Sequence, residues 1–156
     1  MWKNKHVVAA MLVAPVLAIL AWFAVDYLVA ERPRSAEPGA AYPLVAKSNC
    51  RYRSGRCDLE NADFEISLLP QQIQAADISI RLESRFPLQQ ATLGLVDEGV
   101  AAPPVRMMAD GSDNRAWLAD IALPTSDDAM LRVGITADDA TFFAEVPVVF
   151  LVKQDR

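Results

Sequence analysis

The sequence has little of what most often does chemistry. Among 156 residues there is one histidine, with two cysteines and six glycines. The histidine, His6, precedes a long apolar run, so the rest of the chain holds no Ser–His or Cys–His dyad. The glycines beyond residue 43 stand singly, which leaves no phosphate-cradling loop. Fifteen basic residues face twenty acidic ones, and a net charge of −5 argues against nucleic acid as a partner. The acidic pairs Asp127-Asp128 and Asp138-Asp139, like the stretch DGSDN, fall short of the ligand spacing of a calcium loop and read as turn chemistry. No small-molecule substrate is evident, no cofactor is expected, and the chain reads as non-catalytic.

Apolar residues are in excess, at 53%, above the usual share. From Val7 to Val25 the run VVAAMLVAPVLAILAWFAV contains no charged or strongly polar side chain. Extended through Tyr27–Ala30, and rising about 1.5 Å per helical residue, it spans a hydrocarbon core of about 30 Å. We therefore expect a transmembrane helix over 7–30, after a short N-terminus of 1–6. Trp22 and Tyr27 stand where one membrane interface would fall and Trp2 near the other. Pro15 is tolerable in such a helix with a kink. The rival is a cleaved signal peptide, but its apolar region is normally about 7–15 residues long and YLVAERP is a poor cleavage site. Ala10, Ala14, Ala18 and Ala21 share one face, a ridge that either permits close helix packing or reflects how common alanine is in bacterial spans.

Charge around the span is nearly balanced, with Lys3 and Lys5 before it and Arg32 and Arg34 after it. Orientation therefore rests on the cysteines, since a closely spaced pair suits an oxidising compartment. The expectation is a bacterial inner-membrane protein, single-pass, with a cytoplasmic N-terminus and a periplasmic C-terminal domain.

Residues 31–43, ERPRSAEPGAAYP, have the composition of a spacer. Over 44–156 the pattern becomes short alternating runs: Phe64, Ile66 and Leu68; Ile78, Ile80 and Leu82; Trp117, Ile121 and Leu123; Leu131, Val133 and Ile135. Period two is the mark of half-buried antiparallel strands. Turn signals separate them: LPQQIQ, RFPLQ, DEGVAAPP, DGSDN, LPTSDD and TADDA. The fold expected is all-β, an immunoglobulin-like antiparallel β-sandwich with Trp117 at its centre, preceded by the one helix.

The last run, TFFAEVPVVFLV, is apolar on both faces, Phe142, Val146, Val148 and Phe150 opposing Phe143, Val149 and Leu151. It is either a central strand covered on both sides or one whose second face meets a partner or the membrane. Pro147 favours an edge or a bulge. Phe142 and Phe143 are the candidate contact residues.

Cys50 and Cys57 enclose RYRSGR. A four-residue loop, Tyr52 to Gly55, would set Arg51 opposite Arg56 and Cys50 opposite Cys57, within disulfide reach. A structural disulfide, an exchangeable redox pair and a metal site are the readings. Zinc is short of ligands. Copper(I) is softer and could draw on Cys50, Cys57, Met107 and Met108, although RMMAD in a strand points the two methionines to opposite faces. Arg51, Arg53 and Arg56 offer an anionic contact, to a partner's acidic patch or to lipid headgroups, or form an ordinary solvated hairpin tip.

The N-terminal span, the spacer and the sandwich, with the runs ISIRLE, ATLGLVDEG, VRMMADG, AWLADIALP and LRVGITAD, resemble the FixH/YtkA-like group of membrane-anchored extracytoplasmic proteins. The resemblance covers most of residues 62–148. It implies association with the assembly of haem–copper respiratory oxidases, and in some relatives copper held by His and Met. This sandwich has no histidine, so Met107 and Met108 alone could be carried over. The function expected is a non-catalytic periplasmic accessory protein that associates with, or assists assembly of, an integral-membrane complex. The alternatives are a copper-binding chaperone and a thiol-redox protein.

Overall fold

In a computed structural model of the chain the described residues are 4–29 and 37–152. Trp2, Lys3 and residues 31–36 of the expected spacer, Arg32 and Arg34 among them, lie outside these. The chain divides into two compact units, Met1–Pro33 and Arg34–Arg156, each taken here by itself.

The first unit is one helix, α1 (Lys5–Val29), running through Pro15. It is long and apolar enough to cross a membrane, and its described side chains are exposed throughout. A core helix of a soluble protein would bury one stripe. This one buries none.

The second unit is a sandwich of two sheets. Its strands are β1 (Ala41–Pro43), β2 (Val45–Ala46), β3 (Cys57–Asn61), β4 (Phe64–Gln74), β5 (Asp77–Ser84), β6 (Gln90–Asp97), β7 (Val100–Ala101), β8 (Val105–Arg106), β9 (Met108–Ala109), β10 (Ala116–Ala122), β11 (Met130–Ala137) and β12 (Ala140–Pro147). One sheet has the order β2-β3-β4-β5-β10-β9; the other has the order β1-β12-β11-β6-β7, with β8 also on β6. Within them β4-β5-β10-β9 and β12-β11-β6 have the connectivity of strands A-B-E-D and G-F-C of an immunoglobulin domain. The sandwich is thus immunoglobulin-like, lengthened by β2 and β3 beyond its first strand.

Alternation in the sequence becomes alternation in burial. Ile66 and Leu68 on β4, Ile78, Ile80 and Leu82 on β5, Leu93 on β6, and Leu131 and Ile135 on β11 are all buried between the sheets. Trp117 is buried too, its indole N–H donating to the Asn114 carbonyl at 3.0 Å. Leu123 falls beyond the end of β10 and is partly exposed. Phe64 from one sheet and Phe142 from the other stack with centroids 4.0 Å apart, and Phe86 and Tyr42 extend the stack at 6.3 and 5.6 Å. Two-residue turns close the hairpins: Asp138 and Asp139, both at positive φ, join the paired Ala137 and Ala140.

Four details depart from expectation. The sandwich begins inside the expected spacer, because Ala41–Pro43 pairs in parallel with Thr141, Phe142 and Phe143. LPQQIQ is part of β4 rather than a turn. Pro70 lies beyond the last β3 pair, Cys57 with Leu68, where its missing N–H interrupts at most one ladder, and a register shift between Pro70 and Ile73 absorbs the irregularity. The last apolar run is not one strand. β12 ends at Pro147, and Val148–Leu151 forms a 3-10 turn that buries Val148, Phe150 and Leu151. Turning the chain there brings residues of both parities inward. Finally, Cys50 lies in a 3-10 turn, Ser48–Arg51, and not on a strand opposite Cys57.

Candidate functional site

The disulfide joins Cys50 to Cys57 with Cα atoms 4.3 Å apart, and both residues are fully buried. Their loop is held by polar contacts on all sides. Gly55, at φ +71°, donates its N–H to the Phe150 carbonyl at 3.0 Å and so ties the loop to the turn after β12. The Ser54 hydroxyl lies 2.6 Å from the carbonyls of both Asn49 and Arg56.

Beneath the loop Asp58 is the hub. Its carboxylate accepts from Asn49 Nδ2 at 2.8 Å, Arg56 Nε at 2.7 Å and Ser67 Oγ at 2.6 Å. Asn49 Oδ1 in turn accepts the Asp58 backbone N–H at 3.1 Å. Burial alone would raise the Asp58 pKa, but the hydrogen bonds from Ser67, Arg56 and Asn49 outweigh it and hold the carboxyl below its ordinary value.

This network divides the three arginines. Arg56, half exposed, is tied to groups of its own domain, its Nη2 also donating to Ser67 Oγ at 2.9 Å. Arg51 and Arg53 flank Tyr52, and all three are exposed. The tip available to another molecule is therefore Arg51-Tyr52-Arg53.

The two phenylalanines also part. Phe142 is buried in the aromatic stack, whereas Phe143 is 47% exposed. Neighbours on a strand point to opposite faces, so one anchors the core and the other looks outward. A contact role for Phe142 is corrected on that ground. Met107 and Met108 divide in the same way, at 2% and 77% exposure. Copper(I) binding by the cysteine–methionine set would require reduction of the disulfide and withdrawal of Met107 from the core.

Phe143 stands on the outer face of the β1-β12-β11-β6 sheet. Register sets it beside Gly134 and, across β11, Thr92; the next row is Glu145, Arg132 and Gly94. With Gly134 at the centre of the first row and Gly94 at the β6 end of the second, the face is hollowed. A depression of about 330 Å³ is lined by Thr92, Gly94, Val96, Ala101, Pro104 and Gly134 among others. A second, of about 400 Å³, lies beside Phe143 and runs from Pro43 to Glu145 across Arg132. Arg132 Nε reaches Glu145 Oε2 at 2.6 Å, with both side chains about half exposed. The Asn49–Asp58–Ser67 network and the glycine hollow both escaped sequence reading. The polar residues flanking the cysteines were a signal for the first. For the second the signal was Gly94 and Gly134 at outward positions of their strands.

Comparisons with known proteins add little. No family model matches the chain, and no curated protein sequence matches it. A solved structure titled "Crystal structure of Br derivative BhCBM56" is similar over 57% of this chain and 92% of that one, at 14% identity and a TM-score of 0.42. No functional reading is taken from it.

Proposed function

We propose that the protein is a non-catalytic accessory protein of the bacterial inner membrane. One helix anchors it, its N-terminus is cytoplasmic, and its sandwich lies in the periplasm, where it associates with an integral-membrane complex, as the resemblance to FixH/YtkA-like proteins suggests. The observation that carries the reading is a buried disulfide in a domain that follows a single apolar helix. Such a bond forms and persists outside the reducing cytosol. The exposed Arg51-Tyr52-Arg53 tip, held rigid by that disulfide, is the surface offered to an acidic patch of the complex.

The test is chemical crosslinking in native membranes, mild solubilisation and identification of the subunits that co-purify. Recovery with the subunits of one membrane complex, lost on Arg51→Glu with Arg53→Glu, is the expected result. Recovery of this chain without another subunit would remove the reading's main support.

A further inference from the structure

We propose that the outer face of the β1-β12-β11-β6 sheet binds a second copy of this chain, face to face about a two-fold axis. A two-fold interface must be self-complementary: whatever one copy projects, its own surface must receive. This face carries both halves of two such matches. Phe143 projects from β12, 47% exposed, and the glycine hollow of about 330 Å³ over Gly94 and Gly134 lies across β11 from it. Arg132 and Glu145 stand side by side, so a two-fold partner can present its Glu145 to this Arg132 and its Arg132 to this Glu145.

Charge favours the same occupant. The chain carries a net −5, so two copies repel unless they meet where acid is sparse. Among the described residues the outer face of this sheet brings Arg132, Arg106 and Glu145, with Gly94, Gly134, Thr92 and Phe143 between them. The opposite sheet's outer face brings Asp58, Glu60, Glu65, Glu83 and Asp120 against Lys47, Arg56 and Arg81, so it stays the more acidic of the two. The hollow is built from absent side chains rather than from mobile ones. A Cβ on Gly134 would lie 2.9 Å from Thr92 Oγ1, whereas one on Gly94 meets nothing closer than 3.8 Å. Gly94 is therefore the position at which the hollow can be filled without disturbing the fold.

The experiment uses the full chain in native membranes, with photo-reactive benzoylphenylalanine in place of Phe143. Illumination should give a product at twice the 17.1 kDa monomer, its adduct mapping to the partner's residues 92–104. The same probe in place of Asp120, on the other sheet, should give none. Gly94→Leu in the probe-bearing chain should lower the yield by about tenfold, the scale of losing one buried aromatic anchor, with an unchanged thermal midpoint. Arg132→Glu and Glu145→Arg chains should each dimerise poorly alone and well when mixed. A Phe143 probe that stays monomeric, or one that captures a different protein, overturns the proposal. So does equal dimer yield from Asp120.

Discussion

The two sheets share one core and present opposite surfaces to their surroundings. On the β2-β3-β4-β5-β10-β9 sheet, outward charges answer one another. Lys47 pairs with Glu60 at 3.1 Å and Glu65 at 2.8 Å, Arg81 pairs with Glu83 and Asp110, and Arg56 pairs with Asp58. Ser79 bonds to Asp120 across the strands. On the other sheet the outward rows are largely small or apolar, with a single ion pair, Arg132 with Glu145, among the described residues. A surface whose charges are already matched has little to gain from desolvation, because each pair must be broken or buried first. A hollow, charge-poor face with a projecting phenylalanine loses less on leaving water and gains apolar contact. The difference is the ground for proposing self-association on one sheet face and leaving the other to solvent.

The sharpest break of that contrast lies between adjacent residues. Phe142→Ala should destabilise the sandwich by about 3–5 kcal/mol, the cost of emptying a buried aromatic site. Phe143→Ala should leave stability within about 0.5 kcal/mol, as surface changes do. Urea unfolding of the two variants in one detergent measures both. Equal losses would mean that Phe143 also belongs to the core.

Next in size is the clasp. Its closed loop is short, with a sequence separation of seven, and replacing both cysteines by alanine should cost about 2–3 kcal/mol. The Asp58 hub beneath it gives a pH signature. The folded-state pKa is held below the unfolded value, so the hub's stabilisation is present above the unfolded pKa and is lost as pH falls through the folded one. Between pH 7 and the acid limb the thermal midpoint of the native chain should fall more steeply than that of Asp58→Asn. Parallel curves would show that the carboxylate contributes nothing.

The glycines come third. Gly134→Ala should cost about 1–2 kcal/mol through its contact with Thr92, and Gly94→Ala close to nothing. The exposed pairs come last: Lys47→Gln should shift the thermal midpoint less than Gly134→Ala does, and by still less at high salt.

How much of this was legible in the sequence follows from what each signal depends on. Strand positions were legible because alternation such as Ile78, Ile80, Leu82 is set by burial on one face. The disulfide was legible because two cysteines close in sequence have few alternatives. The conformation around it was not. The Asn49–Asp58 and Ser67–Asp58 bonds, and the tie from Gly55 to Phe150, join residues brought together only by the fold. Pro70 within LPQQIQ misled because proline punctuates most strands, while a strand that outruns its neighbour tolerates it. The run after Phe142 misled because a strand and a strand followed by a 3-10 turn have the same composition. The hollow went unread because its signal, an outward glycine on each of two strands, looks locally like any weak strand residue until the register sets the strands side by side.

The contrast between the faces is tested most directly by hydroxyl-radical footprinting of the full chain in native membranes. Met108, 77% exposed, should oxidise rapidly and serves as the internal reference. Phe143, 47% exposed in the single chain, should be oxidised at least about fivefold more slowly than that exposure allows, as a centrally buried contact is, and should recover in Gly94→Leu. Oxidation of Phe143 in membranes at the rate its exposure in the single chain implies would contradict the account.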